Sequence, residues 1–262
     1  MQIPVYQIDA FTDKAFGGNP AAVCPLDAWL PDETMQAIAF ENNLSETAFF
    51  VANDTGGYDL RWFTPAAEVD LCGHATLATG YLLLETLTPD AESVRFETRS
   101  GTLGVVRESG NLVMDFPTLP AAPAEIPDGL TDALGGHQPS AFLRAVKNMA
   151  VFDDEATVRA IQADFGYIAA LTGMGLIITA PGDASDCASR YFAPQVGINE
   201  DPVTGSAHCT IVPYWAERLG KDRIHARQVS RRGGDLYCRM NGGRVEIGGR
   251  AILFMEGRIA LP

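Results

Sequence analysis

The 262-residue chain is 47% apolar and 20% charged, an ordinary globular composition with length for one large domain or two of average size. Its formal charge is −14, from 33 acidic against 19 basic side chains, and its longest basic cluster is the short "SRRGG", so a phosphate-backbone partner is excluded and no nucleic acid is expected. No apolar run approaches the ~18 residues needed to cross a bilayer. The opening "MQIPVYQIDAFTD" lacks a basic leader ahead of an apolar core, and five scattered cysteines suit a reducing compartment. A cytoplasmic protein with no membrane partner is predicted.

In chain order, "VYQIDAF" reads as a strand and "PDETMQAIAFEN" as a helix started by Pro31 and Asp32, with Met35, Ile38 and Ala39 on one face. "TAFFVAN" reads as a strand, and "DLCGHATLATGYLLLE" as an apolar helix beginning at Gly73 and His74. The segment 116–129, "FPTLPAAPAEIPDG", is rich in proline and lacks periodicity, which marks a linker. Beyond it come "AFLRAVKN" as a strand, "DEATVRAIQADFG" as a helix stopped by Gly166, "MGLIITA" as a strand, and "EDPVTGSAHCTIVPYWAERLG" as a second helix opened by a glycine, Gly205.

The order repeats. "LRWFTP" recurs as "SRYFAP", with Arg61 and Arg190 129 residues apart, and the helix-opening Gly73 and Gly205 are 132 apart, so the second copy holds three extra residues between these landmarks. "RSGTLGVV" and "RGGDLYCR" keep nearly the same offset. The reading is therefore α+β, as two homologous halves, 1–117 and 118–262, each a mixed β-sheet around a central helix and packed with a cleft between them.

A helix N-terminus offers unpaired N–H groups and about half a positive charge, and glycine there lets a ligand approach the backbone closely. Two such starts facing one cleft suit an anion whose charge grows during reaction. Taken singly, Gly73 and Gly205 read as turn residues, and Asp70 and Asp201 as ordinary caps; the repetition favours a site. Around them, His74 has an ordinary pKa near ~6.5 and suits proton donation or hydrogen bonding. Asp201 is aimed by Pro202, Thr204 and Ser206 are hydroxyl donors, and His208, further into the helix, reads as structural. Cys72 with His74 is too sparse a donor set to read as a metal site. Glu46 sits between a helix end and an apolar strand. There desolvation raises a carboxyl pKa toward neutrality, although a solvated strand edge or a backbone cap fits the pattern equally.

"DAFTDKAFGGNPAAV", "NNLSETAFF", "FTPAAEVDLCGHAT" and "EDPVTGSAH" resemble the signatures of the PhzF-like isomerases of phenazine biosynthesis. The resemblance spans both halves and implies a diaminopimelate epimerase-like fold and proton movement without cofactor or metal. In PhzF a glutamate takes a proton from one ring carbon of a dihydro-hydroxyanthranilate and returns it to another; the motif match makes that glutamate Glu46. It also implies that His74, Asp201 and Ser206 surround a small carboxylate substrate, that Gly73 and Gly205 supply backbone N–H donors, and that the protein is a homodimer. The apolar stretches "FFVA" and "AILFME" read as sheet edges that a second copy would cover. Epimerases of this fold use two thiols; alignment puts Ala78 and Pro202 at those positions and gives Cys72 no such part.

The first reading is thus a cofactor-independent isomerase moving a proton within a small acid. The alternatives are an epimerase or racemase using Glu46 with His74 or Asp201, and a non-catalytic ligand-binding or interaction module on the same scaffold.

Overall fold

The computed structural model describes residues 1–261. The chain forms two compact units, one made of Met1–Asp115 and the segment from Gly248 onward, the other of Phe116–Ile247.

The first unit runs β1 (Gln2–Ala10), β2 (Asn19–Leu26), α1 (Asp32–Asn42), β3 (Glu46–Ala52), β4 (Tyr58–Phe63), β5 (Glu68–Val69), α2 (Gly73–Leu82), β6 (Ser93–Thr98), β7 (Gly101–Glu108) and β8 (Asn111–Pro117). β2 pairs antiparallel with β1 and parallel with β3, β4 pairs antiparallel with β3 and β5 and parallel with β6, and β6–β7–β8 form a meander. Alternation along β3 decides which side chains meet which helix. Phe49 joins Met35, Ile38 and Ala39 of α1 in one apolar cluster with Val5, Cys24 and Phe63. Each fully buried Met or Ile there contributes about 1.5–3 kcal/mol. Glu46, an odd number of residues from Phe49, lies on the opposite face, the one that carries α2. α2 packs so closely on β7 that a Cβ on Gly80 would stand 2.7 Å from the Val105 side chain. Its last turn widens into a π-helical turn at Leu83–Leu87.

The second unit runs β9 (Ala122–Ala124), α3 (Leu130–Ala133), β10 (Ala141–Arg144), β11 (Asn148–Val151), α4 (Glu155–Ala160), α5 (Phe165–Ala170), β12 (Leu176–Pro181), β13 (Cys187–Ala193), β14 (Ile198–Asp201), α6 (Gly205–Leu219), β15 (Arg223–Gln228), β16 (Gly234–Asn241) and β17 (Arg244–Gly249). Its pairings follow the first unit's order: β10–β11 antiparallel, β11–β12 parallel, β12–β13 and β13–β14 antiparallel, β13–β15 parallel, β15–β16 antiparallel. Leu176, Ile178, Ala188 and Phe192 face a cluster with Val158 of α4 and Ile168 of α5. The alternate residues face α6, whose Trp215 indole N–H donates to the Thr179 hydroxyl at 3.0 Å. Each unit is therefore a mixed sheet around one buried helix, α2 or α6. The final strand, β18 (Ala251–Ala260), pairs with β1 from Gln2↔Ala260 to Ala10↔Ala251, which puts it in the first unit although the sequence division at residue 117 assigns it to the second half.

The repeated Arg-x-Phe landmark has a structural purpose. Arg61 lies 5.2 Å from the Phe63 ring centroid and forks onto Glu68 with bonds of 2.7 and 2.8 Å; Arg190 lies 4.9 Å from Phe192 and forks onto Glu200 at 2.7 and 2.9 Å. The three extra residues of the second copy fall between Pro194 and Glu200, where the chain makes the 3-10 turn Pro194–Val196 before reaching the glutamate.

Four local expectations are corrected. "AFLRAVKN" is not one strand, because residues 145–147 bend between β10 and β11. "DEATVRAIQADFG" is one short helix and the start of another, because Asp164 caps a new one by accepting the Gly166 and Tyr167 N–H groups, so Gly166 lies in the first turn of α5 and does not stop α4. The linker contains β9, paired with β10. "FFVA" is no sheet edge, since β3 is paired on both sides and Phe49 and Phe50 are buried.

Candidate active site

In the first unit, the loop after β1 returns to β2 through Gly18, whose φ of +61° and 2.1 Å Cβ clearance from the Ala10 carbonyl admit only glycine. The next residue, Asn19, is fully buried, and its Nδ2 stands 3.2 Å from His74 Nδ1. On the other side of the ring, His74 Nε2 lies 3.2 Å from Glu46 Oε2, a close approach of two buried atoms that is not a hydrogen bond. Glu46 begins β3 and His74 is the second residue of α2, so a strand start and a helix start bring carboxylate and imidazole together. Their side chains are 12% and 6% exposed. Burial pushes the His74 pKa down to about 3, against a smaller upward pull from the Pro20 carbonyl. This corrects the expectation that His74 titrates near neutrality: the ring beside Glu46 is neutral and has no imidazolium proton to give.

Gly73 opens α2, and the N-cap residue, Cys72, makes no side-chain capping bond. Its Sγ lies 3.5 Å from His74 Nδ1, so Cys72 is part of this cluster, a position the sequence alignment did not give it; Ala78 is buried within α2, six residues further on. Donor atoms of Glu46, Cys72 and His74 all lie within 4.8 Å of one another. Carboxylate, thiol and imidazole form a zinc-type donor set. Here, however, the thiol and the carboxylate flank different nitrogens of one ring, so a single ion would need that ring to turn.

In the second unit, Asp201 ends β14 and is 8% exposed. The Thr204 hydroxyl donates to Asp201 Oδ2, and fully buried Gln228 ties the segment down, its Nε2 donating to the Asp201 carbonyl and its Oε1 accepting the Thr204 N–H. Gly205 opens α6 and half-buried Ser206 follows it; the N-cap, Thr204, makes no side-chain capping bond, its hydroxyl being turned to Asp201. Neither Asp70 nor Asp201 caps a helix, contrary to the ordinary reading. His208 is fully buried, its ring bonded to the Thr204 carbonyl at 2.8 Å, in keeping with a structural part.

Glu46, Gly73 and His74 thus gather in the first unit, and Asp201, Gly205 and Ser206 in the second. Sequence reasoning missed Asn19, although "GGNPAAV" lies in a motif that carried the resemblance. It also missed Gln228, at the end of β15, which no pattern marks.

A family model described as "Phenazine biosynthesis-like protein" matches residues 8–257. An uncharacterized isomerase of Pseudomonas aeruginosa is 52% identical over 261 residues, covering 100% of both chains. A crystal structure of a PhzF-family phenazine biosynthesis protein from Enterococcus faecalis superposes with a TM-score of 0.97 at 45% identity, covering 100% of both. A hydroxyproline epimerase from Agrobacterium vitis shares the fold alone, with a TM-score of 0.63 at 10% identity over 99% of this chain and 93% of that one. On the length of the match and the identity of these relatives, the chain belongs to the phenazine biosynthesis-like PhzF family of isomerases and epimerases, with its diaminopimelate epimerase-like fold.

Proposed function

We propose that the protein is a cofactor-independent isomerase that moves a proton within a small carboxylate-bearing substrate, with Glu46 as proton carrier. The observation that carries the reading is the Glu46–His74 pair: a half-buried carboxylate 3.2 Å from an imidazole kept neutral by burial. A neutral ring beside the carboxylate does not fix it as an ion pair, so Glu46 remains able to accept a proton and give it back. In the proposed reaction Glu46 takes a proton from carbon, the electron pair moves toward the substrate carboxylate, and Glu46 returns the proton to a second carbon. The N–H groups at Gly73 and Gly205 and the Ser206 hydroxyl hold the growing negative charge, and Asp201 orients the substrate. Both helix starts lack side-chain caps, which supports this use. The isomerase name of the Pseudomonas relative agrees with it.

The runner-up is an epimerase, which needs a second proton group. His74 is neutral, so that part falls to Asp201. Incubation of small cyclic and α-substituted acids in deuterated water separates the two: label with double-bond migration supports the isomerase, and label at an inverted stereocentre without migration supports the epimerase. For the active acid, Glu46→Gln should lower turnover by at least ~10²-fold with little change in affinity, while Glu46→Asp retains part of the activity. Wild-type turnover by Glu46→Gln would refute the assignment.

A further inference from the structure

Lys147 is one of only three lysines in the chain, and sequence reasoning gave it no part. It lies in the bend just before β11 and is 8% exposed. The strand registers fix its direction. Met149, Ile177, Tyr191 and Asp201 stand in one cross-strand row and therefore on one face, the face that carries α6 through Thr179 and Trp215. Lys147 precedes Met149 by two residues, and its Nζ lies 5.8 Å from the Tyr191 ring centroid, which places it on that face as well.

Among the described residues, no carboxylate or carbonyl bonds to this ammonium; the Tyr191 ring is its one recorded contact. Burial lowers the Lys147 pKa, while Cys209 and Asp201 act on its charge in the opposite direction. Cys209 offers no anion at neutral pH, because its own burial pushes the thiol up to about 11. Asp201 already accepts from Thr204. Cys209 stands four residues into α6 from Gly205, on the same side of the helix. An ammonium on a largely buried side chain thus lies near the uncapped start of α6 with no protein oxygen bonded to it.

We propose that Lys147 binds a second carboxylate of the substrate, so that the substrates of this enzyme are small dicarboxylic acids. One group lies at the α6 start and the other on Lys147; the inference rests on the carboxylate-binding reading given above. A single ammonium on an aromatic face matches the single charge of a carboxylate. A phosphate dianion would call for further donors.

The test compares succinate with butyrate, and glutarate with pentanoate, pairs of equal carbon count that differ by one carboxylate. Protein labelled with [6-13C]lysine gives signals from Lys14, Lys147 and Lys221, and loss of one signal in Lys147→Met assigns it. The dicarboxylates should shift the Lys147 signal and bind at least ~10-fold more tightly than their partners. In Lys147→Met that preference should vanish while monocarboxylate affinity holds, and Lys147→Arg should restore part of it. Without ligand, Lys147→Met should melt no lower than wild type, because it removes a charge with no bonded protein partner and keeps an apolar stem of similar length. Equal binding within each pair by wild type, or a preference that survives in Lys147→Met, overturns the proposal and leaves the carboxylate reading standing. A large fall in the melting temperature of ligand-free Lys147→Met also overturns it, showing that the ammonium serves the fold. If none of the four acids binds, the carboxylate reading fails and this inference with it.

Discussion

Two of the four histidines, His74 and His208, are buried and should make the protein lose stability in mild acid. His208 is the cleaner case. Its Nδ1–H donates to the Thr204 carbonyl, and Nε2 is buried without a hydrogen-bond partner, so protonation would create a donor with nothing to receive it. Burial pushes its pKa down to about 4, and that of His74 to about 3. Above the unfolded value of ~6.5, both rings are neutral in both states and pH has no effect through them. Below it the unfolded chain takes up protons that the folded chain refuses, and stability falls with pH until the folded pKa is reached. At pH 5 the difference is about 2 kcal/mol for each ring, about 4 kcal/mol together, against a typical domain stability of roughly 5–15 kcal/mol. Asp154, held low by the Thr157 N–H and hydroxyl, titrates further down and contributes little in this window. The assay is urea unfolding at pH 7.5 and pH 5.0. His208→Asn keeps a donor for the Thr204 carbonyl and carries its own pH-independent cost, but it should shrink the difference between the two pH values by about 2 kcal/mol. An undiminished difference in the variant, or none in wild type, would refute the reasoning.

Arg190→Lys should cost about 2 kcal/mol by denaturant unfolding, because an ammonium cannot fork onto both Glu200 oxygens while holding the Val158 and Ile161 carbonyls. The same change at Arg61, where the arginine reaches Glu68 and exposed Asp32, should cost less. The protein should be a homodimer, with a light-scattering mass at micromolar concentration of twice the 28.1 kDa chain; a mass of one chain refutes this. Since β3 is interior, the apolar strand for such a contact is β18, whose Phe254 and Met255 are 43% and 45% exposed.

The duplication and both glycine-opened helices were legible because they rest on strong local signals: apolar runs of helical length and a repeated "R-x-F" landmark. The same signals located Gly73 and Gly205 to the residue. What failed was local detail set by single side chains. Asp164 outcompetes the helix pattern by capping a second helix, and β9 forms in a proline-rich stretch because β10 offers it a partner. The charge state of His74 was out of reach for a different reason: a sequence shows the imidazole but not the burial that neutralises it. Asn19, Gln228 and Lys147 lie far along the chain from the helices they serve, and only the strand registers bring them into account.

The two helix starts also explain how one duplicated scaffold can divide a reaction. In the first unit the groups beside the start of α2 are an uncharged imidazole and a thiol, both buried, and the half-buried carboxylate of Glu46, a setting that favours exchange of a proton. In the second unit the residues at the start of α6 are Asp201, Thr204 and Gln228, each engaged in hydrogen bonds that fix the backbone ahead of Gly205, with Lys147 on the same face. Such a start is rigid and positive, a setting that favours holding an anion. On the proposed function, the copies have diverged into a proton-carrying start and an anion-holding start, and the Arg–Glu fork that both retain belongs to the scaffold. Substitutions at Arg61 and Arg190 should then act on stability, those at Glu46 on turnover, and those at Lys147 on the choice of acid. A turnover defect in Arg190→Lys at unchanged stability would break this division.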